Sequence, residues 1–260
     1  MSTCLVAICG IDRDVDLAPV LKDALLKAID FAKQYLHTTI LVVTRVSDVN
    51  TREFWSSTAK VVCVPHYEIK TRHSLPNIAK ARQLCLDTAK ISNVDCLWFL
   101  DSDVIPHQDT LLKLWQASKW SAVGAAYTTR WCGFPAVGII HDSPQPALHT
   151  QGVHADEGTF IMNEEPSSIQ IVNALELTDD ESRDATTESR DATTVHILGF
   201  GCTLLRRSIF SILCVVASLN QGNKYFEGED IGFFLEAHRQ GVPVGVLVKY
   251  EVKHMFSRHE

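Results

Sequence analysis

An apolar run that leads directly into two aspartates constrains the fold of this chain more than any other feature. Residues 96–100 read Cys-Leu-Trp-Phe-Leu, and Asp101 and Asp103 follow with one serine between them. Five consecutive apolar residues are typical of a strand buried on both faces, as the strands of parallel sheets are. The two carboxylates are therefore expected at the carboxyl end of a central strand, where open α/β sheets bind their ligands.

This pair of carboxylates has two interpretations. Carboxylate oxygens suit Mg²⁺ or Mn²⁺, and a bound divalent cation suits a diphosphate group. Alternatively, Asp101 caps the following helix and Asp103 is a solvated loop residue. Because Asp-x-Asp alone is a weak signal, the choice between the two depends on the rest of the chain.

The chain ahead of the aspartates alternates between predicted strands and helices. Apolar runs predict strands at residues 4–10, 39–44 and 60–64, and apolar residues at helical spacing predict helices that begin near Leu17 and Pro76. Continuously apolar strands that alternate with helices form parallel sheets covered by those helices. We therefore expect an α/β fold.

The chain after Trp115 is less regular. Its predicted elements are strands at 121–127, 136–140, 159–163, 168–172 and 242–249, a glycine-containing strand at 195–205, and helices at 206–217 and 231–240. Glycine, proline and histidine are frequent from Cys132 to Gly158. This composition indicates a second, irregular lobe whose loops would hold a variable ligand.

The heptapeptide Glu-Ser-Arg-Asp-Ala-Thr-Thr occurs twice in tandem, at residues 181–187 and 188–194. Such a polar repeat cannot form an apolar face, and two copies are too few for a solenoid. We therefore predict that residues 178–194 form a lengthened surface loop.

Composition excludes several classes of protein. The formal net charge of the 260 residues is −7, which argues against nucleic acid or an anionic membrane as a partner. No apolar run reaches the roughly 18 residues of a membrane-spanning helix, and the first residues lack the basic segment of a signal peptide. The eight cysteines form no Cys-x-x-Cys pair, so buried free thiols in a reducing compartment are expected. These features predict a soluble, cytoplasmic protein without a membrane span.

Four motifs, in order, resemble those of the nucleotide-sugar glycosyltransferases of the GT-A fold, in their inverting, metal-dependent, Asp-x-Asp branch. They are Asp101-Ser102-Asp103, the preceding helix with Asn77, Ala79 and Arg82, the segment Gly199-Phe200-Gly201 followed by Leu204-Leu205-Arg206-Arg207, and Gly228-Glu229-Asp230 with His254 downstream. The resemblance extends from Val6 to His254. It implies a Rossmann-like α/β fold, in which a mixed, mainly parallel sheet is flanked by helices. It also implies one domain over 1–260, with a nucleotide-sugar-binding half (1–120) and a smaller, irregular acceptor-binding half (121–260).

The resemblance also implies roles for individual residues. Asp101, Asp103 and His254 would hold Mn²⁺ or Mg²⁺, Asp230 would be the general base, and Glu229 would orient the acceptor. The nucleotide sugar would contact Ile11, Asp12, Arg13, Thr44, Arg45, Asn77, Arg82, Asp101, Ser102, Gly199 and Gly201, with Arg72 as a further contact to ribose or phosphate. Trp131 and Phe134 either stack on a sugar or are ordinary core aromatics.

The reaction implied is transfer of a hexosyl or pentosyl group from a UDP-sugar to a hydroxyl of a glycan or glycoprotein, in a bacterial or large-virus glycan pathway. Three alternatives stay open. A retaining transferase would not use Asp230 as base. A sugar nucleotidyltransferase usually has a Gly-rich, basic loop after its first strand, where this chain has only Gly10 and Arg13. A carbohydrate-binding protein could keep the fold without turnover.

Overall fold

The computed structural model describes residues 1–64, 75–129, 133, 135–140, 169–177, 192–214, 217–221 and 224–255. The strands are β1 (Ser2–Cys9), β2 (Leu36–Arg45), β3 (Lys60–Val64), β4 (Cys96–Asp101), β5 (Val104–Ile105), β6 (Ala122–Ala126), β7 (Ala136–Ile140), β8 (Ile169–Asn173), β9 (Ala192–Val195), β10 (Cys202–Arg206), β11 (Ala217–Gln221), β12 (Lys224–Gly228), β13 (Val244–Glu251) and β14 (Lys253–His254). The helices are α1 (Ala18–Ala32), α2 (Val49–Trp55), α3 (Leu75–Ile91), α4 (Thr110–Gln116) and α5 (Glu229–Arg239).

Within the described residues, eight strands form one sheet in the order β3-β2-β1-β4-β10-β6-β13-β9. The first four of these are parallel neighbours, and β6 is parallel to β13. Strand β10 is antiparallel to both β4 and β6, and β9 is antiparallel to β13. The sheet is therefore mixed and mainly parallel, as predicted, and strands from both halves of the sequence enter it.

Both faces of the sheet are covered, which explains the apolar run before the aspartates. In β4, Leu97 and Phe99 belong to the core on one face, whereas Trp98 and Leu100 belong to the core on the other. The first core includes apolar residues of α3 and α5, and the second includes those of α1 and α4. A strand that packs against helices on both sides has no solvent-facing position for a polar residue.

The helix predicted at 206–217 is wrong. A short 3-10 turn covers Arg207–Ile209, and β11 begins at Ala217. Both arginines that open the segment turn back towards the chain: Arg206 donates to the carbonyls of Trp115 and Trp120, and Arg207 to that of Val94. These contacts fix the segment against the end of α4 and the loops before β4 and β6, so the segment does not continue as a helix.

The predicted loop at 178–194 is also wrong at its end. Its last three residues lie in β9, the edge strand next to β13, and Thr193 is buried there. Threonine is a β-branched residue that suits a half-buried strand, and pairing with β13 satisfies backbone groups that the repeat alone could not. Residues 178–191, and the strand predicted at 159–163, lie outside the described residues.

Three two-stranded sheets complete the described fold. They pair β7 with β8, β11 with β12, and β5 with β14. The third brings His254 opposite Val104, directly after the two aspartates. Among the described residues, no helix combines the length and the apolar character needed to cross a membrane.

Candidate active site

The two aspartates lie at the end of β4, the strand at which the pairing in the sheet changes from parallel to antiparallel. Asp101 is the last residue of β4, and its backbone N–H donates to the carbonyl of Gly201, just before the antiparallel β10 (2.9 Å). The helix after the aspartates begins at Thr110, with Asp109 at its N-cap position. The interpretation of Asp101 as a helix cap is therefore wrong, and Asp101 is available for the site at the sheet edge.

A buried arginine joins Asp101 to the start of α5. Arg82 on α3 is 6% exposed, and its Nη2 donates to Asp101 Oδ1 (2.9 Å). Its Nη1 lies 2.8 Å from Glu229 Oε1, an ion pair in which the N–H is not aligned for a hydrogen bond. The guanidinium also stacks over the ring of Phe200, 4.9 Å from the centroid. Although burial by itself would lower it, the pKa of Arg82 is raised, because Glu229 and Asp101 stabilise the charged form.

This arrangement differs from two roles that the family resemblance implied. The expected contact of Arg82 with ribose or phosphate does not fit its position, because carboxylates hold both ends of the buried guanidinium. Glu229 is 4% exposed, so it does not face an acceptor. The structure instead links Asp101, Arg82 and Glu229 in one chain of ion pairs below the sheet edge.

Asp230 lies beside this chain of ion pairs in a poorly solvated position. Its Oδ1 accepts from the backbone N–H of Ile231 (2.8 Å) in the first turn of α5. Burial and the neighbouring Glu229 raise the pKa of Asp230 to about 7, against the opposing effect of Arg82. A carboxylate with a pKa near neutrality can both accept and release a proton under physiological conditions.

The side chains of Asp103 and His254 form a hydrogen-bonded pair. The imidazole Nε2 lies 3.1 Å from Asp103 Oδ2, and Nδ1 lies 2.8 Å from the backbone carbonyl of Thr128. Both side chains are largely buried, so the interpretation of Asp103 as a solvated loop residue is wrong. The pairing of β5 with β14 is what positions the histidine.

The Asp103–His254 pair fits a divalent cation by the chemistry of its donors. A carbonyl oxygen only accepts, so Nδ1 of His254 carries a proton and Nε2 is the atom that can coordinate a metal. Without a cation, a second proton must lie between Nε2 and the carboxylate. Accordingly, although burial alone would lower it, the pKa of His254 is raised by its hydrogen bond to Asp103. At metal sites, a backbone carbonyl that accepts from the other ring nitrogen commonly fixes the tautomer of the coordinating histidine.

Asp101 does not join this pair as the expected third ligand. Its Oδ1 is held by Arg82, and the described residues contain no ready cluster of three metal-ligating side chains. Mg²⁺ in nucleotide enzymes is commonly bound by one or two carboxylates, together with substrate phosphates and water. Asp103, with His254 beside it, would be what this chain contributes to such an ion.

The loop between the aspartates is held by a residue that the sequence did not identify. Ser102 donates from Oγ to Asp14 Oδ2 (2.8 Å), and Arg13 Nε lies 3.3 Å from Asp14 Oδ1. Asp14 is 6% exposed. The buried carboxylate of Asp14, in the 3-10 turn after β1, therefore brings together the predicted site residues Arg13 and Ser102. Asp14 was not identified from the sequence, because it is one of three aspartates in that turn and nothing in the sequence distinguishes it.

The other residues predicted after β1 and β2 come to the same sheet edge, but their polar groups are engaged. Asp12, which follows Ile11, accepts from the backbone N–H groups of Asn50 and Thr51 at the start of α2. Arg45 forms a two-pronged ion pair with Asp48 (both contacts 2.7 Å).

Thr44 and Asn77 differ in how far their polar groups are satisfied. Thr44 is buried, and its hydroxyl donates to Asp48 (3.2 Å). Asn77, near the start of α3, has a buried Oδ1 without a hydrogen-bond partner. Among the predicted nucleotide contacts, Asn77 is the one whose acceptor is unused within the described chain. Arg72, Trp131 and Phe134 lie outside the described residues.

The two glycines around Phe200 make room for a tyrosine. A Cβ at Gly199 would lie 2.2 Å from Tyr127 Oη, and one at Gly201 would lie 2.5 Å from Tyr127 Cζ. The predicted close approach of this backbone to a ligand is thus, in the structure, a close approach to a side chain. Tyr127 was not identified from the sequence, because nothing in the strand before it marks it as a site residue.

Comparisons with known proteins bear on the fold. No family model matches the chain. No curated protein matches its sequence. Residues 1–349 of TarS from S. aureus superpose with a TM-score of 0.50 at 15% identity, over 98% of this chain and 60% of that one.

Two further solved structures match less well. A putative nucleotide-diphospho-sugar transferase from Desulfovibrio desulfuricans has a TM-score of 0.44 at 8% identity, over 98% of this chain and 84% of that one. The inositol-1-phosphate CTP transferase from T. maritima has a TM-score of 0.44 at 9% identity, over 99% and 90% respectively. The likeness to TarS, together with the sheet described above, confirms the expected GT-A-like α/β fold.

Proposed function

We propose that this protein is a divalent-metal-dependent glycosyltransferase that moves a sugar from a UDP-sugar to a hydroxyl of a glycan or glycoprotein, with inversion at the anomeric carbon. The observation that carries the proposal is the distribution of the carboxylates around the carboxyl edge of β4. Asp103 pairs with His254 at this edge, and Asp230, whose pKa is raised to about 7 by burial and by Glu229, lies in the first turn of α5.

The first task of such a site is to bind and orient the diphosphate. Asp103 and His254 would hold Mn²⁺ or Mg²⁺, which when bound neutralises the charge that develops on the departing diphosphate. Ser102 is held by Asp14, which keeps the loop between the two aspartates in one conformation. Asn77 Oδ1 offers an unused acceptor to a hydroxyl or amide of the nucleotide.

The second task is to remove a proton from the acceptor hydroxyl. Asp230 is the carboxylate suited to this, since its raised pKa makes it a stronger base than an ordinary aspartate. In-line attack by the activated hydroxyl then inverts the anomeric centre in a single displacement. Glu229 keeps Arg82 in place and raises the pKa of Asp230, so it acts on the base rather than on the acceptor.

The test is calorimetric titration of UDP, with GDP as the comparison, in Mn²⁺ and again in EDTA. We expect micromolar binding of UDP that is lost in EDTA and in Asp103→Ala. Asp30→Ala, which removes an exposed carboxylate near the end of α1, is the matched control and should bind as the parent does. Absence of nucleotide binding under every condition would exclude the transferase and favour a non-catalytic carbohydrate-binding protein.

The stereochemistry of the product separates the inverting from the retaining reaction. Proton NMR of the first product formed from a UDP-α-sugar should show the β-anomer. A retained α-anomer would show that Asp230 is not the general base of a single displacement.

A further inference from the structure

Tyr127 lies next to both functional parts of the proposed site. Its ring lies edge-on to the ring of His254, with 5.7 Å between the centroids. Its hydroxyl lies against Gly199, where a Cβ would be 2.2 Å from Tyr127 Oη and 3.8 Å from Asp230 Oδ2. One end of the side chain thus contacts the proposed cation site, and the other end lies near the proposed base.

The hydroxyl of Tyr127 has an unused donor. The backbone N–H of Gly201 donates to Tyr127 Oη (3.1 Å), which fixes the position of the oxygen. Within the described part of the chain, no acceptor is recorded for the phenolic proton itself. Tyr127 is partly exposed, so its phenolic proton can be donated to a bound molecule.

The position of the Tyr127 hydroxyl indicates which part of a bound substrate would accept its proton. In the proposed reaction the diphosphate lies at Asp103 and His254, and the acceptor hydroxyl lies at Asp230. The group that must lie between them is the sugar being transferred. Tyr127 is beside both of these parts, with its hydroxyl held against Gly199 and Gly201, so it borders the position that the sugar would take.

We propose that the Tyr127 hydroxyl donates a hydrogen bond to an oxygen of the transferred sugar, and that Tyr127 is thereby a donor-specificity residue of this site. The inference rests on the proposed function and adds the part of the substrate that Tyr127 contacts. It predicts that the residue distinguishes a nucleotide sugar from the bare nucleotide.

The experiment compares binding of UDP with binding of UDP-sugars in Mn²⁺ by calorimetry, for the parent, Tyr127→Phe and Tyr250→Phe. The probes are UDP-glucose, UDP-galactose and their N-acetylated forms, of which the tightest binder is kept. Tyr250→Phe is the matched control, because its partly buried hydroxyl bonds to Asp109 and Thr110 rather than to a residue of the proposed site. Thermal unfolding of each variant verifies that it is folded.

We expect Tyr127→Phe to bind UDP as the parent does, and to bind the UDP-sugar three- to tenfold more weakly, which is about the net value of one hydrogen bond. Tyr250→Phe should change neither. Equal weakening of UDP and UDP-sugar would place the contact on the nucleotide and overturn the inference, as would unchanged affinity for both. If the parent binds no UDP, the proposed function fails together with the inference.

A second measurement, on the parent protein, tests the same hydrogen bond in case Tyr127→Phe is too unstable to titrate. Deoxy analogues of the bound donor sugar are titrated into the parent, and one of them should lose the same three- to tenfold affinity. In Tyr127→Phe that analogue and the full sugar should bind equally. If every analogue binds the parent like the full sugar, the Tyr127 hydroxyl has no sugar partner.

Discussion

Asp101 and Asp103 are two residues apart, yet the structure gives them opposite kinds of partner. Asp101 pairs with Arg82, whose guanidinium keeps its charge at any physiological pH. Asp103 pairs with His254, whose charge depends on a proton that a metal ion can replace. The first carboxylate therefore has a permanent cation as its partner, and the second has an exchangeable one.

This difference indicates a division of labour within one short motif. The pair of Asp101 with Arg82 extends to Glu229, and so connects β4, α3 and α5 into one rigid unit. The pair of Asp103 with His254 connects only the short strands β5 and β14 at the rim. A cation-binding site would need a pair such as Asp103 with His254, whose proton can be replaced by a metal ion. It would also need a pair such as Asp101 with Arg82, which holds the surrounding elements in place.

The largest effect should come from removing the permanent cation. Arg82→Met leaves the buried Glu229 and the partly exposed Asp101 without a counter-ion, and should reduce the free energy of unfolding by about 3–5 kcal/mol. Urea denaturation followed by circular dichroism measures this change. Lys27→Met, which breaks an exposed ion pair with Asp23, is the control and should cost less than about 1 kcal/mol. If Arg82→Met and Lys27→Met reduce the free energy of unfolding equally, the ion pairs of Arg82 contribute no more to stability than an exposed ion pair does.

A smaller effect should separate the two aspartates themselves. Asp101→Asn removes one of the two counter-ions of Arg82, and should reduce the free energy of unfolding by about 1–3 kcal/mol. Asp103→Asn should change it by less than about 1 kcal/mol, yet abolish metal-dependent binding of UDP. Urea denaturation and calorimetry on the same two variants measure both quantities. The comparison breaks down if Asp103→Asn is the more destabilising of the two.

A third effect is the pH dependence that comes from Asp230. Because the pKa of Asp230 is raised to about 7, the folded protein holds a proton there that the unfolded chain releases above its ordinary value of 3.8. The contribution of Asp230 to stability is therefore lost as the pH rises from about 4 to about 7, and is constant above that range. Transfer activity should rise as the pH approaches and passes about 7, because Asp230 then becomes ionised and can act as a base.

Asp230→Asn is the variant that tests this dependence. It should abolish transfer and reduce the fall in stability between pH 4 and pH 7 relative to the parent. The urea midpoint measured across that range, together with the pH profile of kcat, provides both readouts. A parent profile whose activity is already complete at pH 5 would show that Asp230 has an ordinary pKa.

Much of the first half of the fold could be predicted from the sequence. The predicted strand at 60–64 matches β3 in full, and the helix expected from Pro76 matches α3 within one residue. These elements have continuous apolar strands and helical periodicity, which are local properties of the chain. The helix predicted at 206–217 failed because Arg206 and Arg207 bond to distant carbonyls, which no local pattern reveals.

The site was predicted in part. Its expected residues Asp101, Asp103, Glu229, Asp230 and His254 do gather around the end of β4. Tyr127 and Asp14 were missed, because a single tyrosine after an apolar strand and one aspartate among several are unremarkable in a sequence. The two glycines at 199 and 201 were noticed, but the bulky group that requires them is Tyr127, which lies far from them along the chain.

Strand character and chain order are properties of neighbouring residues, and they were enough to predict a buried strand followed by two carboxylates at the carboxyl edge of an α/β sheet. The partner of each carboxylate depends on tertiary packing. Arg82 reaches Asp101 from α3, and His254 reaches Asp103 through a two-residue strand pairing. Partners that are distant in sequence meet through packing, and their charges, burial and pKa values follow from that meeting rather than from residue type.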